Sequence, residues 1–564
     1  MNNDLFLDIA QSLEQNWGLL LTVLGCAAWG SLLVFACLKK AAQHLGDGEL
    51  TALALGGWPA PVLLWAILVL VLRNYLPDRS VLALAGLAAL AAAGLALRHL
   101  WGRVSRAALL PMAIFLAFVL LRLGFLAEAV LPAYFDSAEH YRIIQYLLGR
   151  ASAWTPDSYY HLGYHYITAA LQVVTGADLA RLMLVFGQVI VAALPLPMYF
   201  FVHQATGSRR AAFFAATLAG LGWFVPTHAV NWGKYPALLG LLVVQFTFGL
   251  ACLDRRYLAL LSLLFAVRIH TRMAVLAAVG VAAVWLARRP RWLVAAGLGA
   301  VAMLVWRGQD FGPLWDADGN STLGTILNAY AGLPLGPLWG AYGNLTTLLI
   351  GLLAVFAARS FPRLTAGSAL ALLAGLFLTL IPPAFPVLDR PLTEMALSLP
   401  LAFVGGLGLS RLPYKWLMPL LTAAVLVHAW LNYSFAPSPC CQLAGQDDLA
   451  AMDWIEQNTP PDARILIASA DYSLGQATLR GAGTDAGLWV TPLTGRVTPA
   501  LPYSSDFSQA QVHQRLCWGG VDYIYAGSRE MSFNDALLDA QPAWYTAALT
   551  LPNARIVQVL GCGE

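Results

Sequence analysis

The chain has 564 residues, of which 59% are apolar and only 11% charged, where ordinary soluble chains are roughly 45–50% apolar and about 25% charged. With a mean hydropathy of +0.65, this excludes a water-soluble globular enzyme and a disordered chain, and leaves a polytopic membrane protein. The net charge of +3 hides a split: Ser434–Glu564 holds 13 acidic and 6 basic residues, or −7, leaving 27 basic and 17 acidic, or +10, for the rest. No basic block lies beside aromatics in a polar segment, so nucleic acid is excluded as a partner.

Asp4, Asp8 and Glu14 precede the first apolar run, where a secretory signal would place Lys or Arg. A spanning helix needs about 20 mostly apolar residues. Runs near 17–38, 49–72, 81–97, 107–127, 178–202, 211–224, 236–252, 257–268, 273–288, 291–306, 340–358, 365–382, 395–410 and 416–433 predict about fourteen spans. Several are short, and 257–268 with 273–288 also reads as one re-entrant unit. The segments divide as N-terminal helices over 1–106, a membrane region over 107–433 and a polar domain over 434–564.

Lys and Arg in short loops set the orientation. One set of alternate loops carries 16 of them: Lys39, Lys40, Arg98, Arg103, Arg106, Arg209, Arg210, Arg255, Arg256, Arg288, Arg289, Arg291, Arg359, Arg363, Arg411 and Lys415. That side is expected to be cytoplasmic. The longer loops 128–177, 225–235, 307–339 and 383–394, both termini and the polar domain then face out of the cytoplasmic membrane.

The tail follows Trp430 and Tyr433, placed as an interfacial aromatic belt, and a linker at Pro437 and Pro439. Asp447 to Asn458 reads as a helix, with Leu449, Met452 and Ile455 three apart, stopped by Thr459-Pro460-Pro461. Arg464 to Ala468 and Val521 to Tyr525 read as buried strands, and Leu551 to Leu560 as another. This is a small α/β domain. Cys26, Cys37 and Cys252 sit in apolar runs. Cys440, Cys441, Cys517 and Cys562 lie in the tail, where an extracytoplasmic setting allows one or two disulfides of undetermined pairing. No Cys-x-x-Cys or Cys/His spacing predicts a zinc site.

Chemistry gathers in the long loops. Tyr134-Phe135-Asp136-Ser137-Ala138-Glu139-His140-Tyr141-Arg142 places Asp136, Glu139 and His140 at i, i+3 and i+4, on one helix face. Two carboxylates and an imidazole there can take a proton from a hydroxyl or hold a metal. The bland reading is the solvated face of an interfacial amphipathic helix whose other side is Tyr141, Ile144 and Leu148. His161 and His165, at i, i+4, match a divalent-metal spacing, but Gly163 weakens the helix and the four neighbouring tyrosines read as an aromatic interfacial surface. Asp316-Ala317-Asp318-Gly319-Asn320 reads as a turn, its glycine being two residues early for a calcium loop. Lys234 stands at the mouth of a span, Arg268, His270 and Arg272 interrupt two apolar runs, and Arg390 opens another run with Glu394 behind it. Charges at membrane level line cavities or meet counter-ions, and cations so placed suit the phosphate of a lipid-linked substrate. Snorkelling with internal salt bridges is the alternative.

From Ala107 to Leu431 these pieces, in this order, resemble the GT-C superfamily of polyprenyl-phosphate-sugar-dependent glycosyltransferases, which includes protein O-mannosyltransferases and lipid A aminoarabinose transferases. The acidic motif in the first long outer loop, the His270 segment and the Arg390-Pro391 stretch carry the resemblance. Met452 to Pro460 and Asp485 to Trp489 look like parts of the periplasmic domains such enzymes bear. Three spans precede Ala107, where the simplest family pattern has the acidic loop after the first span. The tryptophan-tryptophan-aspartate signature of oligosaccharyltransferases is absent. The resemblance implies sugar transfer from a polyprenyl-phosphate donor to an acceptor hydroxyl on a glycan, lipid or protein at the outer face. It implies Asp136 as catalytic base, with Glu139 as the second choice for that role or as the group that orients the acceptor. Lys234, Arg268, His270, Arg272 and Arg390 become phosphate ligands, and His140, His161, His165 and Glu394 further substrate contacts. No nucleotide or redox cofactor is implied, and a divalent metal is optional. A lipid or solute transporter or flippase is the rival reading, although no repeated halves are visible.

Overall fold

The computed structural model describes residues 5–150, 161–287, 344–379, 390–414, 416–432, 435–469 and 483–562, with 289, 291, 294 and 295 besides. The expected span 291–306, the loop 307–339 with its Asp316 turn, and residues 383–389 fall wholly or mostly outside them.

The first helices are α1 (Leu5–Ala41), α2 (Asp47–Gly57), α3 (Pro59–Arg73), α4 (Asp78–Leu100) and α5 (Leu109–Glu128). Pro59 opens α3 at a position where its missing N–H costs little, so α2 and α3 run on as one apolar stretch of 27 residues. Two short helices follow, α6 (Phe135–Leu147) and α7 (Gly163–Thr175), and then α8 (Leu179–Ala193) and α9 (Leu196–Thr206), which meet at Leu194-Pro195. The Asp178 side chain caps α8 by accepting from Arg181 N at 2.7 Å, satisfying one of the free N–H groups of the first turn. Next come α10 (Arg209–Leu221), α11 (Tyr235–Cys252), α12 (Arg256–Ile269), α13 (Thr271–Ala287), α14 (Asn344–Ser360), α15 (Pro362–Thr379), α16 (Arg390–Leu409) and α17 (Leu417–Asn432).

Among the described residues six helical stretches are long and apolar enough to cross a membrane: Leu5–Ala41, Asp47–Arg73, Asp78–Leu100, Arg106–Glu128, Leu179–Thr206 and Tyr235–Cys252. Shorter apolar helices add to them. The expected spans 211–224 and 257–268 form α10 and α12, of 13 and 14 residues. At about 1.5 Å per residue such helices cover only about 20 Å of a hydrocarbon layer roughly 30 Å thick. In an 18-residue apolar window of each, 94% of the residues of Leu179–Thr206 and 83% of those of Tyr235–Cys252 are buried, against 17% for Asp78–Leu100. The bundle is therefore built around α8 and α11, and α4 turns leucines such as Leu87 and Leu90 outward, as a lipid-facing helix does.

The expected loop 128–177 is largely structured. α7 is no surface helix: it packs against α3, α6 and α11. Tyr164 is fully buried, its ring stacked between Phe186 and Tyr235 with centroids at 5.6 and 5.9 Å. Burying so much aromatic area outweighs an interfacial position, which corrects the reading of this tyrosine as part of an interfacial surface.

The tail is a small α/β domain. Helix α18 (Gln446–Asn458) precedes a five-stranded sheet in the order β2-β1-β3-β5-β4, from β1 (Ile465–Ser469), β2 (Ala500–Pro502), β3 (Tyr523–Gly527), β4 (Tyr545–Thr550) and β5 (Ala554–Val559). β1 pairs in parallel with β2 and β3, while β3–β5 and β4–β5 are antiparallel. Along β1, Ile465 and Ile467 join the core shared with α18 and the membrane body, and Leu466 and Ala468 join a second core under α20 (Ala510–Trp518), which follows the short helix α19 (Val490–Thr494). That division is the two-residue alternation of a strand buried on both faces. Cys517 and Cys562 form a disulfide, and Cys440 and Cys441 are free thiols.

Candidate functional site

The turn into α6 is held by the tail. Tyr134 adopts φ +68°, a conformation unusual for a residue with a side chain, and its N–H donates to Cys441 O at 2.9 Å. Nearby, Ser438 N donates to Asn231 Oδ1 at 2.8 Å, and Trp489 packs edge-on against Tyr141 of α6 with centroids 5.6 Å apart. These contacts fix the first turn of α6 against the loop that ends at Lys234.

There, Asp136 Oδ2 and Lys234 Nζ lie 2.5 Å apart, both side chains about a quarter exposed. Gly233 makes the approach feasible. Its φ of +65° favours glycine, and a Cβ on it would lie 2.7 Å from Ser137 Oγ and 3.0 Å from Asp136 Cβ. Sequence reading singled out the lysine and the aspartate separately. The glycine that brings them together carries a visible signal only in the Trp-Gly-Lys turn.

The rest of the α6 face is not solvated. Glu139 accepts from Arg142 Nη1 at 3.3 Å, and Arg142 is buried. His140 is 5% exposed, and its Nδ1 lies 3.0 Å from Nε2 of the fully buried His165. Burial, with Lys234 near, pushes His140 down to about 3, and burial and neighbouring histidines also lower His165. Both rings are neutral near pH 7, so they serve as hydrogen-bonding groups and not as cations.

A second histidine pair lies alongside. Gly163 at the start of α7 sits against the end of α12, where a Cβ would be 2.8 Å from Ile269 Cα. This close approach sets the His161 ring 4.1 Å from that of His270. His270 Nδ1 accepts from Met273 N at 3.3 Å, so this histidine also caps α13. Because α7 begins at Gly163, His161 precedes the helix, and the i, i+4 pair divides between two partners, His165 with His140 and His161 with His270. Among the described residues, the one group of three metal-capable side chains is His513, Cys517 and Cys562, two of which are joined as the disulfide. Arg272 is half-buried near His161 and His270, and Arg268 is exposed. Arg390 opens α16, but its side chain and that of Glu394 lie outside the described residues.

No known protein family and no curated protein matches the chain. Among solved structures, the chain is similar to the archaeal oligosaccharyltransferase AglB from Archaeoglobus fulgidus, which was solved in complex with an inhibitory peptide and a dolichol-phosphate. The match covers 78% of this chain and 72% of that one, at 12% identity and a TM-score of 0.39. A likeness this distant assigns neither a family nor an activity.

What the geometry offers chemically is a carboxylate and an ammonium in contact at the tail-bearing end of the membrane body, backed by buried neutral imidazoles. A second carboxylate lies one helical turn away, and guanidinium groups stand on the adjoining α12–α13 turn.

Proposed function

We propose that the chain is an integral membrane glycosyltransferase that moves a sugar from a polyprenyl-phosphate donor to an acceptor hydroxyl on a glycan, lipid or protein at the outer membrane face. The observation that carries this reading is the 2.5 Å contact between Asp136 and Lys234, residues 98 apart in sequence. A base and a cation side by side are what such a transfer needs, because the donor brings its own leaving group.

In this scheme the acceptor oxygen attacks the anomeric carbon while its proton passes to Asp136. The bond from that carbon to the phosphate oxygen breaks, and its electron pair leaves on the polyprenyl phosphate. Lys234 meets the charge that develops there, with Arg272, Arg268 and Arg390 as further cations. One displacement inverts the anomeric centre. Glu139, tied to Arg142, orients the acceptor, and the neutral histidines and Glu394 contact the substrates. The scheme uses no nucleotide or redox group, and a divalent metal is optional to it.

The test is transfer of labelled sugar from a synthetic polyprenyl-phospho-sugar by the purified protein in vesicles. Transfer that is lost in Asp136→Asn is the expected result. Movement of the intact lipid-linked sugar between leaflets with no transfer to any hydroxyl would instead assign the protein to the transporters.

A further inference from the structure

One charge inside an apparently ordinary span has no part in the chemistry above. Arg122 lies in α5, six residues before its end, or about 9 Å along the helix from the tail-bearing end. It is 6% exposed. Its Nε donates to Gln188 Oε1 at 2.7 Å, and its guanidinium stands 5.1 Å from the centre of the Phe125 ring. Nη2 of Arg122 and Nε2 of Gln188 are both buried donors without an acceptor among the described residues. No carboxylate of the described residues pairs with Arg122.

Arg122 borders a narrow open cleft, lined on the apolar side by Phe118, Leu121, Val191, Leu221, Phe224 and Phe435. His228 and Asn231 line its polar end. Asn231 Nδ2 lies 3.1 Å from His228 Nδ1. With the amide donating, that nitrogen is the acceptor and the other ring nitrogen carries a proton. Burial and the nearby guanidinium keep the ring neutral, lowered to about 4. The polar end thus has an excess of donors and a positive charge. A buried donor left without an acceptor is costly, and charged groups at membrane depth face a cavity or a counter-ion. Neither Asp136, Lys234 nor any of the four histidines of the candidate site lines this cleft.

We propose that the cleft binds a phospholipid with an anionic phosphodiester headgroup, its phosphate accepting from Arg122 and its acyl chain lying along the apolar wall. A lipid fits better than a free anion because the site lies below the end of a span and most of its wall is apolar, which a small hydrated ion does not use.

The test is native mass spectrometry of the full-length protein with added phosphatidylglycerol or phosphatidylcholine, and with millimolar inorganic phosphate as competitor. The parent should retain phosphatidylglycerol in preference to phosphatidylcholine. Arg122→Gln should reduce that retention about ten- to hundredfold, the weight of a charge-assisted hydrogen bond. Leu121→Trp, which fills the cleft and keeps the charge, should do the same and decides the matter if Arg122→Gln does not fold. Undiminished retention in either folded variant overturns the site. Displacement of the lipid by inorganic phosphate overturns the lipid as occupant.

Discussion

One oxygen of the Asp136 carboxylate is engaged by the Lys234 ammonium at 2.5 Å, and a donor phosphate arriving beside Lys234 supplies a competing charge. In this reading Lys234 engages the donor and thereby frees Asp136 for the acceptor. Asp136→Asn should then bind donor normally but transfer sugar about 10²–10⁴-fold more slowly, the range for a lost general base. Lys234→Met should raise the donor KM. Glu139→Gln should be milder, since its partner Arg142 also lies on α6. Single-turnover transfer and thermal melting, measured together on each variant, separate lost chemistry from lost fold. Near-normal turnover in Asp136→Asn, Glu139→Gln and the double variant would remove this loop from the reaction. Gly233 sets the spacing of the pair. Gly233→Ala must hold a side chain at φ +65° and 2.7 Å from Ser137 Oγ. It should cost about 1–2 kcal/mol of stability for the left-handed backbone alone, read by denaturant melts, and should slow transfer by moving Lys234 off Asp136.

At the level of elements, the tail is held to α6 by the short helical segment Ala486–Trp489 and by α19, whose approach depends on a buried carboxylate. Asp485 is fully buried and accepts from Gly487 N at 2.9 Å and Gly527 N at 3.4 Å. Burial outweighs these bonds and raises its carboxyl from 3.8 to about 6. A raised folded-state value means that the folded chain holds the proton more tightly than the unfolded chain. The contribution of this group is therefore fully present below about pH 4 and is lost as pH rises through about 6, amounting to about 3 kcal/mol. Melting of the full-length protein between pH 4 and 8 should show that decline. In Asp485→Asn, which has no proton to lose, the slope should flatten. An unchanged slope would place the titration elsewhere.

At the level of the whole molecule, the cation asymmetry of the short loops predicts that the tail, Asp136 and Lys234 lie outside the cell membrane. The exposed Gln509 of the tail offers a site for a check. Gln509→Cys in intact cells should react with a membrane-impermeant maleimide above the background of the exposed Cys440. Labelling of Gln509→Cys only after lysis would reverse the orientation and put the proposed site on the cytoplasmic side, away from any outer acceptor.

The sequence alone determined the solvent of each segment, because hydropathy is additive along the chain. The six long spans, the acidic tail, helix α18 and the strands β1, β3 and β5 were all legible from runs and alternation. Strand β2 was not, being three residues long and ending in Pro502, and neither was β4. The shortness of α10 and α12 was legible as well, because the apolar runs 211–224 and 257–268 are themselves shorter than a spanning helix needs. The proposed carriers of chemistry were legible as residue types, since Asp136 and Lys234 are costly beside a membrane unless they have partners. Which partners they have was decided by the tertiary structure alone. The pairing of Asp136 with Lys234 depends on the turn at Gly233, and the burial of His140 against His165 depends on α7 packing inward. The division of His161 and His165 depends on where α7 begins. Each is a contact between segments distant in sequence, and local pattern fixes what a side chain can do but not which distant group it will meet.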